Sequence, residues 1–71
     1  MTNKTLPPQL AKGLRALRLR RGWSQIDLAH AAGLHRTTIG LLERERGHIT
    51  PDKLDALAAA LGVDVPDLFK P

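Results

Sequence analysis

Cysteine is absent from this 71-residue chain, which excludes disulfide bridges and thiolate metal sites as ways of holding the fold together. Aromatic residues make up only 3% of the sequence, so a core must come mostly from leucine and alanine. No apolar run approaches the roughly 18 residues of a membrane span, and the first residues, MTNKTLPP, lack the hydrophobic segment of a secretory signal. We therefore expect one small domain in a reducing, cytoplasmic location.

Catalytic groupings are also scarce. Ser24 is the single serine, and it precedes a helical pattern that explains it as a helix cap. No arrangement of nucleophile, base and orienting group is apparent. His30, His35 and His48 do not have the spacing of zinc ligands, and no cysteine accompanies them. The sequence thus predicts that the protein is not an enzyme and takes no metal, cofactor or small-molecule ligand.

Positive charge is concentrated in the first part of the chain, and the whole chain has a net charge of +4. Residues 1–50 carry nine Lys and Arg against three Asp and Glu, a net of +6. Residues 51–71 carry two against four, a net of −2. This asymmetry favours a molecule with one face toward a polyanion, although a solvated charged surface is an equally good explanation of the charge alone.

Apolar spacing and capping signals predict five helices and no strand, an all-α fold. The first helix is expected to begin around Pro7 and Pro8, and the expected N-terminal ends of the others are Ser24, His35 or Leu34, Thr50 and Asp64. The glycines expected to end the first, second and fourth are Gly22, Gly33 and Gly62. Residues 1–8 are then a short arm, and residues 9–70 form a single domain, a five-helix bundle.

The most informative stretch is residues 24–44, SQIDLAHAAGLHRTTIGLLER. It predicts two short helices joined by a tight turn, and the second helix opens with the polar and basic residues 35–38. A basic first turn braced by another helix is how small proteins place side chains in the major groove of DNA. Reading of double-stranded DNA is therefore the leading hypothesis.

Three segments in order resemble the helix-turn-helix family of phage repressor and Cro proteins, the Xre type. They are LRALRLRRGWSQIDLA, AGLHRTTIGLLER and ITPDKLDALAAALGVDVPDLF, and the resemblance covers roughly Leu10 to Phe69. The short length is also similar to that of restriction–modification controller proteins and compact antitoxins. The resemblance implies a DNA-binding regulator, usually homodimeric on a two-fold-related operator. It also implies a buried ion pair, Arg18 with Glu43, between the first and third helices.

The chain departs from the family where the third helix ends. The family commonly has glycine two residues after the glutamate at that end, whereas here Glu43-Arg44 is followed by Glu45, and glycine comes only at Gly47. Glycine is the residue that enters a left-handed helix cap without strain. Either the third helix is about half a turn longer, or Glu45 takes a mildly strained conformation.

Four residues of the third helix are predicted to meet the bases: Arg36, Thr37, Gly40 and Leu41. The guanidinium of Arg36 matches the O6 and N7 acceptors of guanine, with a phosphate contact or plain solvation as the alternative. Thr37 can reach a base edge or a thymine methyl. Gly40 would let DNA or another helix approach, unless the position is simply tolerant. Leu41 would contact a thymine methyl or a partner subunit.

Phosphate contacts are predicted around the two ends of this motif. The candidates are Ser24, Gln25, His35, Thr38, Arg44, Arg46, His48 and Lys53. Free N–H groups at the start of the second helix suit a phosphate, and the cations surround the loop after the third helix. Capping alone would also explain Ser24, exposure alone His35, and a bond to a local main-chain carbonyl Thr38.

The last residues carry more apolar surface than a final turn can bury. Val63, Val65, Leu68 and Phe69 are expected to divide between the core and a two-fold dimer contact, with core alone as the alternative. We thus predict a sequence-specific transcriptional regulator that binds a pseudo-palindromic operator as a homodimer through its third helix. A protein-binding module such as an antitoxin is the alternative, and it is disfavoured because no toxin-binding tail follows Phe69.

Overall fold

The computed structural model describes residues 7–70, and within this range there are four α-helices, one short 3₁₀ helix and no strand. The α-helices are α1 (Pro8–Arg20), α2 (Gln25–Ala32), α3 (Arg36–Glu43) and α4 (Pro51–Leu61), and the 3₁₀ helix is Val65–Phe69. The all-α prediction is confirmed. The predicted arm, residues 1–8, falls outside the described residues except for its last two, and Pro8 already belongs to α1.

The fifth predicted helix is corrected in type, because the chain winds there as a 3₁₀ helix. The main-chain N–H of Asp67 donates to the carbonyl of Asp64 at 2.9 Å, and that of Lys70 donates to the carbonyl of Asp67 at 3.2 Å. This is the i to i+3 spacing that defines a 3₁₀ helix. A five-residue segment completes little more than one α-helical turn, so the tighter winding satisfies it equally well.

Local capping signals explain where α2 and α4 begin. The Oγ of Ser24 accepts from the N–H of Asp27 at 3.1 Å, and the Oδ2 of Asp27 accepts from the N–H of Ser24 at 2.8 Å. This reciprocal pair is a capping box, and it confirms Ser24 as the helix cap that the sequence predicts. Gly33 ends α2 in the left-handed conformation. At α4 the Oγ1 of Thr50 accepts from the N–H of Lys53 at 3.2 Å.

The core draws apolar side chains from all five elements. The fully buried ones are Leu10, Leu14, Leu28, Ile39, Leu42, Leu57 and Leu68. In this arrangement α1 packs on the 3₁₀ helix and α3, and α2 packs on α3 and α4. Leu68 has no exposed surface, so its predicted share in a dimer contact is corrected to a core role. α3 is consequently held by its inner face, which leaves its outer face to solvent.

Gly13 allows the 3₁₀ helix to approach α1 closely. A Cβ atom at position 13 would lie 1.8 Å from the carbonyl oxygen of Leu68, which is far inside any van der Waals contact. No side chain therefore fits at this position without moving one of the two elements. Backbone contact sets the distance between them.

The chain after α3 follows the second of the two predicted paths. α3 ends at Glu43, and Glu45 has a φ of 62°, in the left-handed region. Its N–H donates to the carbonyl of Leu42 at 3.1 Å, and the N–H of Arg46 donates to the carbonyl of Leu41 at 2.8 Å. A left-handed residue other than glycine costs about 1–2 kcal/mol. The strained conformation of Glu45 thus turns the chain immediately after α3.

Candidate nucleic-acid interface

The connection between α2 and α3 is the short turn of residues 33–35. The N–H of Leu34 donates to the carbonyl of Ala29 at 2.9 Å, which folds the chain back over the end of α2. Ile39 and Leu42 then bury the inner face of α3. The two helices form one unit in which α2 supports α3.

An ion pair ties α3 to α1. The Nε of Arg18 donates to Oε2 of Glu43 at 2.6 Å, and its Nη2 donates to Oε1 at 2.9 Å. The third nitrogen, Nη1, donates to the carbonyl of Trp23 at 2.8 Å. The two side chains are only 10% and 6% exposed. The hydrogen bond to Glu43 raises the pKa of Arg18, against an opposing effect of burial. This two-pronged geometry fixes the end of α3 against α1.

Gln25 adds a second link to the same carboxylate. Its Nε2 donates to Oε1 of Glu43 at 3.2 Å. To reach it, the side chain passes beside Gly40, where a Cβ would lie 3.5 Å from Oε1 of Gln25. Gly40 is buried as a result. The predicted base contact at Gly40 is therefore corrected: a side chain of α2, rather than DNA, occupies the space beside this glycine.

The first turn of α3 is open to solvent. His35 is the N-cap residue, and its side chain makes no capping hydrogen bond. Arg36 and Thr37 are exposed, and Thr38 is half-buried. The N–H groups of this turn therefore have no side-chain cap, and they carry the partial positive charge of a helix start.

Beside α3 lies a cleft of about 180 Å³, formed with the following loop and the start of α4. It is lined by Thr38, Leu41, Leu42, Gly47, His48 and Lys53. The Leu41 side chain lies toward the loop, since its Cδ1 is 3.9 Å from the place where a Cβ of Gly47 would be. The Nζ of Lys53 donates to the carbonyl of His48 at 3.2 Å, which holds one edge of the cleft.

The predicted phosphate-contacting cations lie on the surface without carboxylate partners. Within residues 7–70 the ion pairs are Arg18 with Glu43 and the exposed pair of Lys70 with Asp67. Exposed residues of the motif and its loop that have no such partner are Arg36, Arg44 and Arg46. His48 is exposed as well, and Lys53 is half-buried. The part of the chain that the structure describes holds no cluster of three or more metal-ligating side chains.

Sequence reasoning missed a contact at the far end of α1. The Nη2 of Arg21 donates to the carbonyl of Leu61 at the end of α4, at 3.0 Å, and the guanidinium lies 4.9 Å from the ring centroid of Trp23. A run of basic residues at the end of α1 is the only sign of this contact in the sequence, and it does not identify the partner. The apolar residues Val63, Val65 and Phe69 are half-buried against the core.

No helix within residues 7–70 has the length and apolar character to cross a membrane. The geometry instead presents an exposed, basic helix start supported by a second helix, and a family model described as helix-turn-helix matches residues 14–68. The chain belongs to the helix-turn-helix family. The Xre-type resemblance is thereby confirmed. This family consists of DNA-binding transcriptional regulators and is not a class of enzymes.

Two curated relatives are similar over most of this helix-turn-helix chain. It is 42% identical over 62 residues to a hypothetical transcription factor of Neisseria meningitidis, covering 87% of this chain and 58% of that protein. It is 44% identical over 60 residues to the control protein C.SmaI of Serratia marcescens, covering 84% of this chain and 71% of that one. The chain thus spans a little over half the length of the Neisseria relative.

Solved structures show the same fold. The crystal structure of the hypothetical transcription factor NHTF from Neisseria superposes with a TM-score of 0.85 at 37% identity, covering 97% of this chain and 91% of that one. The restriction–modification controller protein C.AhdI from Aeromonas hydrophila superposes with a TM-score of 0.82 at 33% identity, covering 86% of this chain and 92% of that one.

Proposed function

We propose that this helix-turn-helix protein is a sequence-specific transcriptional regulator that binds a pseudo-palindromic DNA operator as a homodimer. The observation that supports this most is the first turn of α3. Arg36 and Thr37 are exposed there without an ion-pair partner, on a helix whose other end is anchored through Glu43. A recognition helix needs exposed, unpaired side chains at its start and a rigid support at its other end.

Base contacts come from the start of α3 in this proposal. Arg36 places a planar donor fork where it can bind O6 and N7 of a guanine, and Thr37 contacts the neighbouring base edge or a thymine methyl. Their backbone positions are fixed because Ile39 and Leu42 are buried one turn later. Leu41 is half-buried against the loop and contributes at most one apolar edge.

The proposed phosphate contacts lie on both sides of the first turn of α3. Ser24 and Gln25 lie at the N-terminus of α2, where main-chain N–H groups suit an anion. Arg46, His48 and Lys53 lie on the loop and the start of α4, on the other side of α3. Contacts of this kind supply affinity and its salt dependence, whereas sequence preference comes from the bases.

The homodimer contact is proposed for the end of the chain. Val63, Val65 and Phe69 are apolar and only half-buried in one copy, so pairing of two copies would remove further apolar surface from water. A two-fold contact of this kind would place the two α3 helices in successive major grooves, about 34 Å apart. The similarity to C.SmaI and C.AhdI supports a controller role in a restriction–modification system.

The experiment that tests the proposal is selection of bound duplexes from a random DNA pool at about 0.15 M salt, where weak surface charge effects are largely screened. We expect a two-fold symmetric motif whose half-sites are one helical turn apart. Absence of any enriched sequence would overturn sequence-specific regulation, and an enriched motif without symmetry would overturn the homodimer.

Arg36→Ala tests the reading turn. It should weaken binding to the selected operator by about 1–3 kcal/mol and relax the preference at one position in each half-site, because a bidentate base contact is lost. Arg46→Ala is the matched control, expected to reduce the salt slope by about one unit with little change in preferred sequence. Titrations against operator and random duplex measure both. Equal weakening by Arg36→Ala on both duplexes would make Arg36 a phosphate contact.

A further inference from the structure

The outer face of α3 has a gap at its middle. Residues 37, 40, 41 and 44 share this face by helical spacing, opposite the buried Ile39 and Leu42. Gly40 has no side chain, and Leu41 turns toward the loop beside Gly47. Between Thr37 and the end of the helix, the face therefore has no fully exposed side chain of its own.

The side chains of Gln25 and Arg44 both reach this gap, that of Gln25 from α2 and that of Arg44 from the end of α3. Arg44 is the C-cap residue of α3, and it is exposed. Side chains on a helix lean toward its N-terminus, and here Nη1 of Arg44 lies 3.9 Å from the place where a Cβ of Gly40 would be. The guanidinium is thus level with the middle of the reading helix, about one turn before its own Cα.

The donor groups of Arg44 are not engaged by a carboxylate. Its neighbour Glu43 is already bound by Arg18 and by Gln25. No salt bridge of residues 7–70 involves Arg44. A planar fork of donors, uncompensated in charge, therefore lies on the face that would meet the major groove.

We infer that Arg44 is a specificity-determining residue that contacts a base, rather than the phosphate contact that the sequence predicts. The inference rests on the proposed DNA-reading function and names a second reading group for it. Gly40 makes this position of Arg44 possible, because only a very small residue at position 40 leaves room for the guanidinium against the helix. The guanidinium groups of Arg36 and Arg44 are then separated along α3, so they contact different base pairs of one half-site.

Arg44→Lys is the decisive variant, because lysine keeps the charge and loses the fork. We expect it to bind the selected operator about 5- to 150-fold more weakly, with unchanged binding to a random duplex of equal length and an unchanged salt slope. Selection of bound sequences with Arg44→Ala should lose the preference at one position per half-site, a different position from that lost in Arg36→Ala. Arg46→Lys is the matched control and should leave the preferred sequence intact.

Changes at Gly40 provide an independent test of the same geometry. In Gly40→Ala the added Cβ makes only ordinary contacts, at 3.5 Å to Gln25 and 3.9 Å to Arg44, so specificity should be retained. Gly40→Met displaces the guanidinium and should lose the preference at the same position as Arg44→Ala. Thermal unfolding of each variant checks that the fold is intact.

Two results would overturn the inference. In the first, Arg44→Lys binds the operator as the wild type does, while Arg44→Ala weakens operator and random duplex equally and lowers the salt slope by about one unit, which is the behaviour of a phosphate contact. In the second, selection with Arg44→Ala returns the wild-type motif. Failure of the proposed function is distinguishable, because the wild type would then bind the selected and random duplexes alike.

Discussion

The two helices of the motif, α2 and α3, are equally long but differ in how their ends are capped. α2 is closed by its own ends: Ser24 and Asp27 form a capping box, and Gly33 ends it in a left-handed cap. α3 has no side-chain cap at His35, and its left-handed closing residue is Glu45 rather than glycine. α2 is thus capped at both ends without strain, whereas α3 has an uncapped start and a strained end, and it depends more on contacts with other elements.

This difference leaves the start of α3 available for binding. A side-chain cap at position 35 would occupy N–H groups of the first turn, and in the proposed complex an acidic cap would place a negative charge beside the DNA phosphates. Anchoring through Glu43 stabilises α3 from its far end and leaves the first turn free. If this comparison is correct, damage to the anchor affects stability most, and changes at the caps affect it less.

Removal of the Arg18–Glu43 ion pair should have the largest effect on stability. Glu43→Ala leaves Arg18 largely buried without its carboxylate, and we expect a loss of about 3 kcal/mol in the free energy of unfolding. Urea unfolding measures it. The double variant Arg18→Met with Glu43→Leu removes both charges and should lose much less. A change below about 0.5 kcal/mol in Glu43→Ala, the size of an ordinary surface substitution, would show that α3 is held by its apolar face alone.

Removal of the α2 cap should have an intermediate effect. Ser24→Ala deletes the acceptor for the N–H of Asp27, and we expect a loss of about 1 kcal/mol in the free energy of unfolding. Thr50→Ala removes the corresponding cap of α4 and serves as the matched comparison. A loss in Ser24→Ala as large as that in Glu43→Ala would contradict the ranking of the two helices.

Addition of a cap to α3 should stabilise the protein slightly. His35→Ser supplies the missing acceptor, and we expect a gain of about 0.5–1 kcal/mol in thermal or urea unfolding. His35→Asp should give a similar gain in stability while weakening binding to DNA of any sequence, because its charge repels phosphate. If neither variant is more stable than the wild type, the first turn of α3 is already satisfied by another group.

The pH dependence of the α2 cap should be the smallest effect. The N–H of Ser24 holds the pKa of Asp27 below its ordinary value of 3.8, and the Ser24 hydroxyl lowers it further. Since the folded-state pKa is the lower one, the carboxylate contributes stability above pH 3.8, and this contribution is lost as the pH falls through the folded-state value. The difference in unfolding free energy between wild type and Asp27→Asn should therefore shrink on acidification. A difference independent of pH would contradict this assignment.

The features that residue type and spacing predict correctly are local, whereas the Arg18–Glu43 ion pair, between residues far apart in sequence, was implied only by the family resemblance. Ser24, Thr50 and Gly33 mark helix ends because each acts on main-chain groups within a few residues of itself. The segment around Leu68 has only five helical residues, too few for apolar spacing to distinguish a 3₁₀ helix from an α-helix, so spacing alone predicted an ordinary helix there.

Side-chain direction is the part of the interface that the sequence could not determine. Helical spacing puts Gly40 and Arg44 on the outer face of α3, but it does not say that Gln25 crosses to Glu43 or that Arg44 folds back along the helix. Both depend on which carboxylates are already occupied, and that is a property of the folded arrangement of three helices. Residue type therefore suggested a phosphate contact at Arg44, and only the geometry points to a base.

Gly13 contacts neither DNA nor a second copy in any of these proposals, yet it affects the geometry of both proposed contacts. The backbone contact between Gly13 and Leu68 sets how far the 3₁₀ helix stands from α1, and α1 in turn carries Arg18, which positions α3. In a symmetric dimer built on Val65 and Phe69, any shift of that segment would be doubled across the two-fold axis. The spacing of half-sites that the dimer accepts would then depend on a residue with no side chain.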